Sequence, residues 1–206
     1  MNKKLGLYSS LHVTITVTLF ALFMIIGNVT MSFFVSMLLS WGYLLLICSF
    51  ATEIIAERKS FAFVGIAFAC VYVMFISLVY FIQLATVANQ TGSAEASRVL
   101  SYQTVGSLMF NLTLFGYGMM SFSTFFIGTA IKPTNKIDQW LKVLLILHGL
   151  FAPACILLPL LNVFNSSSGE GGNFLGTFAL LFWCAYFLPL GILSLFHFKI
   201  KVNELY

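Results

Sequence analysis

Long stretches of this chain contain no charged side chain, and they limit what it can fold into. The uncharged runs are Leu11–Thr52, Ser60–Ala94, Val99–Ile131, Val143–Gly169 and Gly171–Phe198. Only 8% of the 206 residues are Asp, Glu, Lys or Arg, whereas a soluble domain has about 25% and covers its surface with them. A helix that crosses a bilayer needs about 20 apolar residues, so each run can hold at least one. The runs therefore predict an all-α integral membrane protein.

The number of helices follows from the lengths of these runs. The first run, Leu11–Thr52, is too long for one helix and just long enough for two. Gly27 and Asn28 can form the turn between them, because both residues tolerate left-handed backbone geometry. We therefore predict a single domain over residues 1–206, a bundle of six transmembrane helices. Their predicted ranges are about 9–27, 30–51, 61–88, 102–131, 138–162 and 173–199.

The basic residues predict the orientation of this bundle. With six helices, nine of the ten basic residues fall on one side of the membrane, and only Arg98 falls on the other. The nine are Lys3, Lys4, Arg58, Lys59, Lys132, Lys136, Lys142, Lys199 and Lys201. An excess of Lys and Arg marks the cytoplasmic side, so both termini are predicted in the cytoplasm, and the expected location is a bacterial plasma membrane.

The predicted connections on the other side are short or polar. They are the turn at Gly27-Asn28, the segment Asn89–Ser101 and the segment Phe164–Gly172. None of them can hold a folded soluble domain, so any function is expected inside the membrane or at its faces. The bilayer itself is the first partner that the sequence predicts.

Ionisable residues at mid-membrane are functional candidates, because charging them there is costly. His148 is the one such residue, and it can serve either as a structural hydrogen-bonding group or as a proton relay or ligand contact. Glu53 and Glu57 lie four residues apart at the cytoplasmic end of the second predicted helix. They could hold a cation or transfer a proton, or they could be ordinary solvated charges.

Prolines in the last two predicted helices indicate a ligand pocket. Pro153, Pro159 and Pro189 interrupt the backbone hydrogen bonds and bend a helix, and a bend can open a cavity lined by nearby aromatic residues. The alternative is that those aromatic side chains face lipid. The predicted ligand-binding residues are His148, Phe151, Trp183, Tyr186, Phe187 and Asn111.

The fourth predicted helix, 102–131, is rich in Gly, Ser and Thr. Small residues let helices approach closely, and hydroxyl groups hydrogen-bond across the interface. This helix is therefore predicted to be central in the bundle. Gln83 and Asn111 would be costly in contact with lipid, so both are expected to face protein or water.

Function is constrained mainly by what the sequence lacks. It contains no GxSxG, HExxH or Walker A motif, and neither a metal, a cofactor nor a nucleic-acid partner is expected. The first hypothesis is a non-enzymatic protein that binds or helps to transport a small apolar or amphipathic ligand or a lipid. The alternative is a structural or accessory subunit that binds a second copy or another membrane protein. The third is a membrane-embedded enzyme that uses Glu53, Glu57 or His148.

One segment has a familiar pattern. Gly116–Gly128, the Lys132-Pro133 pair and Trp140–Gly149 together resemble the helix-loop-helix of small six-helix bacterial membrane proteins that have no assigned activity. The resemblance covers under a quarter of the chain. It implies a six-helix membrane fold and no particular activity.

Overall fold

The computed structural model describes residues 2–89, 93–102, 104–161, 163 and 170–203, with the backbone alone at 97–98 and 170–176. The regular structure of these residues is entirely helical. The α-helices are α1 (Asn2–Ile25), α2 (Val29–Glu53), α3 (Lys59–Ile82), α4 (Ala94–Leu100), α5 (Leu108–Ala130), α6 (Lys136–His148), α7 (Phe151–Leu160) and α8 (Glu170–Asn203).

Within the described residues, five segments are long and apolar enough to cross a membrane. They are Asn2–Ile25, Val29–Glu53, Ala56–Val87, Lys136–Leu160 and Thr177–Asn203. The chain is thus a multi-pass helical membrane protein. The helix α5 is not among the five, because its Ser, Thr and Gly residues lower its hydropathy. However, 14 of its 23 residues are buried, so protein rather than lipid surrounds much of it.

The larger helices form a closed ring. The helix α1 packs on α2, α2 on α3, α3 on α5, and α5 on both α6 and α7; α6 then packs on α8, and α8 returns to α1. The helix α5 is itself a member of this ring and is hydrogen-bonded to two other helices, α3 and α2. Ser123 donates to the Gly65 carbonyl of α3 over 2.7 Å, and Tyr43 of α2 donates to the Met120 carbonyl over 3.1 Å.

The predicted turn between the first two helices is present. Gly27 has a φ of 72°, which places it in the left-handed region that favours glycine. Asn28 then caps α2, since its side-chain oxygen accepts the Met31 N–H at 3.1 Å.

The predicted helix 138–162 is divided into α6 and α7. At the division, the N–H groups of Gly149 and Leu150 each bond to a carbonyl three residues earlier, at 3.0 Å. Pro153 lacks an N–H, and its ring excludes the carbonyl four residues before it, that of Gly149. The helix therefore stops at His148 and restarts at Phe151.

Other predicted boundaries also differ from the structure. The predicted helices 9–27 and 173–199 are the longer helices α1, Asn2–Ile25, and α8, Glu170–Asn203. The predicted helix 102–131 begins only at Leu108, where the Ser107 hydroxyl accepts the Phe110 N–H at 3.1 Å. The predicted helix 61–88 is α3 followed by a π-helical turn at Gln83–Val87. The predicted connection Asn89–Ser101 contains α4. In the connection predicted at Phe164–Gly172, residues 164–169 lie outside the described part of the chain.

One end of the bundle collects the nine basic residues grouped by the sequence; we call it the basic end. The start of α1 meets the end of α8 there, where Gly6 packs against the Phe198 ring. Lys59 donates to the Ala51 carbonyl at the end of α2 over 2.7 Å, and Lys142 donates to the Ile131 carbonyl after α5 over 2.9 Å. Cations stabilise helix C-termini because unpaired carbonyls concentrate negative charge there.

Candidate functional site

His148 is the last residue of α6 and is fully buried. The indole N–H of Trp183, on α8, donates to His148 Nε2 over 3.0 Å. Since Nε2 accepts that bond it carries no proton, so the proton of the neutral ring lies on Nδ1 and is donated to Thr124 Oγ1 of α5 at 2.8 Å. His148 thus faces protein, as expected, and joins three helices.

The aromatic residues predicted to form a pocket do gather around His148. The rings of Phe151, Tyr186 and Phe187 lie 5.2, 5.7 and 5.2 Å from the His148 ring. Trp183 stacks on Phe187 at 4.9 Å, and both are buried. Side chains therefore fill the space beside the Pro153 break, and a ligand role for this group stays a prediction.

Asn111 lies apart from that group. It is exposed near the start of α5, and its side-chain amide donates to the Gly106 carbonyl over 3.3 Å. Gln83, by contrast, is 2% exposed and faces protein.

A cavity of about 200 Å³ lies at the end of the bundle opposite the basic end. Five of the larger helices and the residues before α5 surround it. Its lining residues are Phe20, Phe23, Met24, Gly27, Val29, Ser32, Phe33, Tyr80, Tyr102, Val105, Phe110, Thr177 and Leu180. The rings of Phe33, Tyr80 and Tyr102 touch one another, with centroids 5.3 to 5.9 Å apart. The cavity is thus an aromatic-walled space in an apolar bundle.

Gln83 holds one wall of this cavity in place. Its side-chain oxygen accepts the Tyr102 N–H at 2.9 Å, and its amide donates to the Leu100 carbonyl over 2.7 Å. Gln83 begins the π-helical turn after α3. A π-helical turn reorients the residues that it contains, and such turns are frequent at functional sites.

Hydroxyl groups lie next to the cavity, toward the middle of the bundle. Ser36 is one helical turn from the lining residue Ser32, and the hydroxyls of Ser36, Tyr80 and Tyr117 lie near one another. Ser36 and Tyr117 are buried, and their hydroxyl oxygens have no hydrogen-bond partner. A buried hydroxyl without a partner costs about 1–3 kcal/mol. Small rotations would let these hydroxyls bond to one another or, through Tyr80 on the cavity wall, to a bound molecule.

A network of ionisable side chains joins α2, α6 and α8 at the basic end. His197 Nδ1 lies 2.6 Å from Asp138 Oδ1, and His197 Nε2 lies 2.9 Å from Glu53 Oε2. Lys201 Nζ lies 2.9 Å from the same Glu53 oxygen. The hydroxyl and the N–H of Thr134 donate to Asp138 Oδ2 over 2.6 and 3.0 Å. His197 and Asp138 are 3% and 1% exposed, so the network is largely sealed from solvent.

The sequence did not point to this network. By sequence, His197 lies near the end of the last predicted helix, where an interfacial anchoring role is expected, and no pattern singles out Asp138. The available signal was the i, i+4 spacing of His197 and Lys201, which places both side chains on one face of α8. Glu57, predicted to share a helix face with Glu53, does not: α2 ends at Glu53, and Glu57 is exposed in a short 3₁₀ turn.

A second cavity, of about 170 Å³, adjoins the network. Glu53, His197 and Lys201 line it together with Lys132 and Thr134. The other carboxylate oxygen of Glu53, Oε1, is buried and has no hydrogen-bond partner. Among the described residues, no group of three His, Cys, Asp or Glu side chains is placed to hold a metal ion.

Comparison with protein-family models, curated proteins and solved structures finds no match for this chain. What the protein does must therefore be inferred from its own side chains.

Proposed function

We propose that this protein is a non-enzymatic plasma-membrane protein that binds, or helps to transport, a small amphipathic ligand in the aromatic cavity. The observation that supports this most directly is the cavity of about 200 Å³ beside two buried hydroxyls that lack partners. An aromatic wall with a few polar groups is typical of small-molecule sites.

The volume of the cavity limits the ligand. A dry apolar cavity of about 150 Å³ is enough to bind benzene, whereas sites for drug-sized molecules begin at about 300 Å³. The cavity of about 200 Å³ therefore suits one or two fused rings, or the end of one acyl chain. The hydroxyls of Ser36 and Tyr117 favour a ligand whose buried end carries one hydrogen-bonding group.

Blocking the cavity should abolish binding of such a ligand. A convenient probe is 1-aminonaphthalene, a planar molecule of two fused rings with a single amine, whose emission shifts to shorter wavelength on leaving water. Ser32→Phe places a ring in the cavity and is expected to weaken binding at least tenfold, measured on purified protein against protein-free micelles. Leu180→Trp blocks the same space from α8 and gives a second test. Met31→Phe is the matched control, since Met31 is adjacent but 37% exposed.

The role of the Tyr117 hydroxyl is tested by comparing a ligand that carries an amine with one that does not. Tyr117→Phe should weaken 1-aminonaphthalene binding about three- to tenfold, the value of one hydrogen bond, and leave naphthalene binding unaffected. If Met31→Phe and both blocking variants bind the probe with equal affinity, the ligand hypothesis is contradicted and the accessory-subunit alternative is favoured.

We also propose six crossings with both termini in the cytoplasm, which requires α5 to be the crossing that hydropathy alone misses. Only α5 separates Ser93 from Thr134 as a membrane-length helix. In a cysteine-free background, an impermeant maleimide should label Ser93→Cys on intact bacterial cells, and Thr134→Cys only after lysis. Labelling of both on one side would contradict the crossing by α5, and reversed labelling would contradict the orientation.

A further inference from the structure

We infer that Glu53, Asp138 and His197 form a proton-binding site at the basic end of the bundle. Both ring nitrogens of His197 face carboxylate oxygens, Nδ1 toward Asp138 at 2.6 Å and Nε2 toward Glu53 at 2.9 Å. An ionised carboxylate can only accept, and a neutral imidazole has a single N–H to donate. If His197 is neutral and both carboxylates are ionised, only one of the two short contacts can be a hydrogen bond. Both contacts are hydrogen bonds only when Glu53, Asp138 and His197 together carry one further proton.

The charge balance supports the same proton count. With the proton on the ring, the two carboxylates are offset by His197 and by Lys201, which lies 2.9 Å from Glu53. Without it, Glu53, Asp138, His197 and Lys201 together keep one uncompensated negative charge, and two of these side chains, Asp138 and His197, are almost fully buried. A buried net charge is strongly unfavourable. The other charged side chain lining the adjacent cavity is Lys132; Lys59 and Lys142 are bonded to helix-end carbonyls.

The cavity at the basic end gives the site a route for exchanging its proton. Glu53, His197 and Lys201 line the cavity at the basic end, and the free Glu53 Oε1 points to no partner. Asp138 lies behind them, held by Thr134. Because the proton links α2, α6 and α8, its release would weaken the contacts that hold these three helices together at this end.

The other two histidines provide internal references. His148 must be neutral with its proton on Nδ1, because Trp183 donates to its Nε2. His12 Nε2 lies 3.0 Å from the Leu38 carbonyl, and a carbonyl only accepts, so that nitrogen carries a proton. The three histidines of the chain are therefore expected to differ in protonation.

Nitrogen NMR of the full-length protein, labelled with ¹⁵N-histidine and held in bilayers at pH 7, tests the proton-binding site directly. Unprotonated ring nitrogens resonate far from protonated ones, and His12→Gln, His148→Gln and His197→Gln assign the signals. His148 should show one unprotonated nitrogen, whereas His197 should show none. A neutral His197 beside a protonated Asp or Glu carboxyl, seen by ¹³C NMR, would also support the site.

Glu53→Gln removes one negative charge, so the group becomes neutral without the extra proton. In that variant His197 is expected to show one unprotonated nitrogen. Glu57→Gln, an exposed carboxyl four residues away, is the matched control and should leave His197 unchanged. Unaltered His12 and His148 signals report that each variant is folded. A neutral His197 with both carboxyls ionised in the unmodified protein would overturn the inference. Ligand binding at the opposite end is measured separately, so either proposal can fail alone.

Discussion

Replacing His197 with leucine is expected to lower the free energy of unfolding by about 3–5 kcal/mol, the range for breaking a buried ion pair by removing one partner. Leucine has a similar length but cannot donate a hydrogen bond. It leaves the carboxylates of Asp138 and Glu53, 1% and 15% exposed, without the imidazole that lies between them. Unfolding of the purified protein by SDS, followed by circular dichroism, measures the change.

Two further variants separate the charge effect from general disruption of α8. Ser194→Ala lies one turn earlier on the buried face and removes only a bond within the helix, to the Leu190 carbonyl at 2.7 Å; it should cost about 1 kcal/mol or less. Adding Asp138→Asn to His197→Leu removes one unpaired charge and should restore a large part of the loss. If the free energy of unfolding of His197→Leu is within about 1 kcal/mol of that of the unmodified protein, the network does not stabilise the bundle.

Gly128→Ala is expected to destabilise the bundle by about 1–3 kcal/mol, because overpacking forces backbone or side-chain shifts. A Cβ at this position would lie 2.8 Å from the Leu145 Cβ and 3.0 Å from the backbone nitrogen of Ile146. Backbone cannot rotate away as a flexible side chain can, so α5 and α6 must separate. The same unfolding experiment measures the loss.

Gly118, on the same helix, is the matched control. A Cβ there would meet its nearest neighbours, Ile156 and Cys155, at 3.4 and 3.5 Å, which is ordinary contact. Gly118→Ala should therefore be neutral, or stabilising by up to about 1 kcal/mol through helix propensity. Equal effects of the two substitutions would show that α5 and α6 do not approach as closely as described.

Much of the fold could be predicted because it depends on local chemistry. The turn at Gly27 needs a residue that accepts a positive φ, and Asn28 caps the next helix; both signals lie in two consecutive residues. The grouping of basic residues at one end requires only the alternation of helices. Burial of Gln83 and His148 follows from the cost of a polar group in hydrocarbon.

The candidate sites were much less predictable. The sequence suggested a pocket at the Pro153 bend, but Phe151, Trp183, Tyr186 and Phe187 fill that space around His148. How a bend is filled depends on side chains from α5, α6 and α8 together, which no local pattern specifies. The cavity instead lies where Tyr80 and Tyr102 meet, because a glutamine at a π-helical turn fixes a segment far along the chain.

The sequence by itself determined that the chain is a helical membrane protein and which helix ends lie at the same end of the bundle. Hydropathy and charge can be read segment by segment, without knowledge of how the helices pack. Only the tertiary structure decided which polar groups meet. Glu53, Asp138 and His197 are separated by 59 to 144 positions, and their contact depends on the rotation of α2, α6 and α8 about their own axes. That rotation is set by the packing of whole helix faces, such as Gly6 against Phe198 and Gly128 against α6, and not by the identity of the ionisable residues themselves.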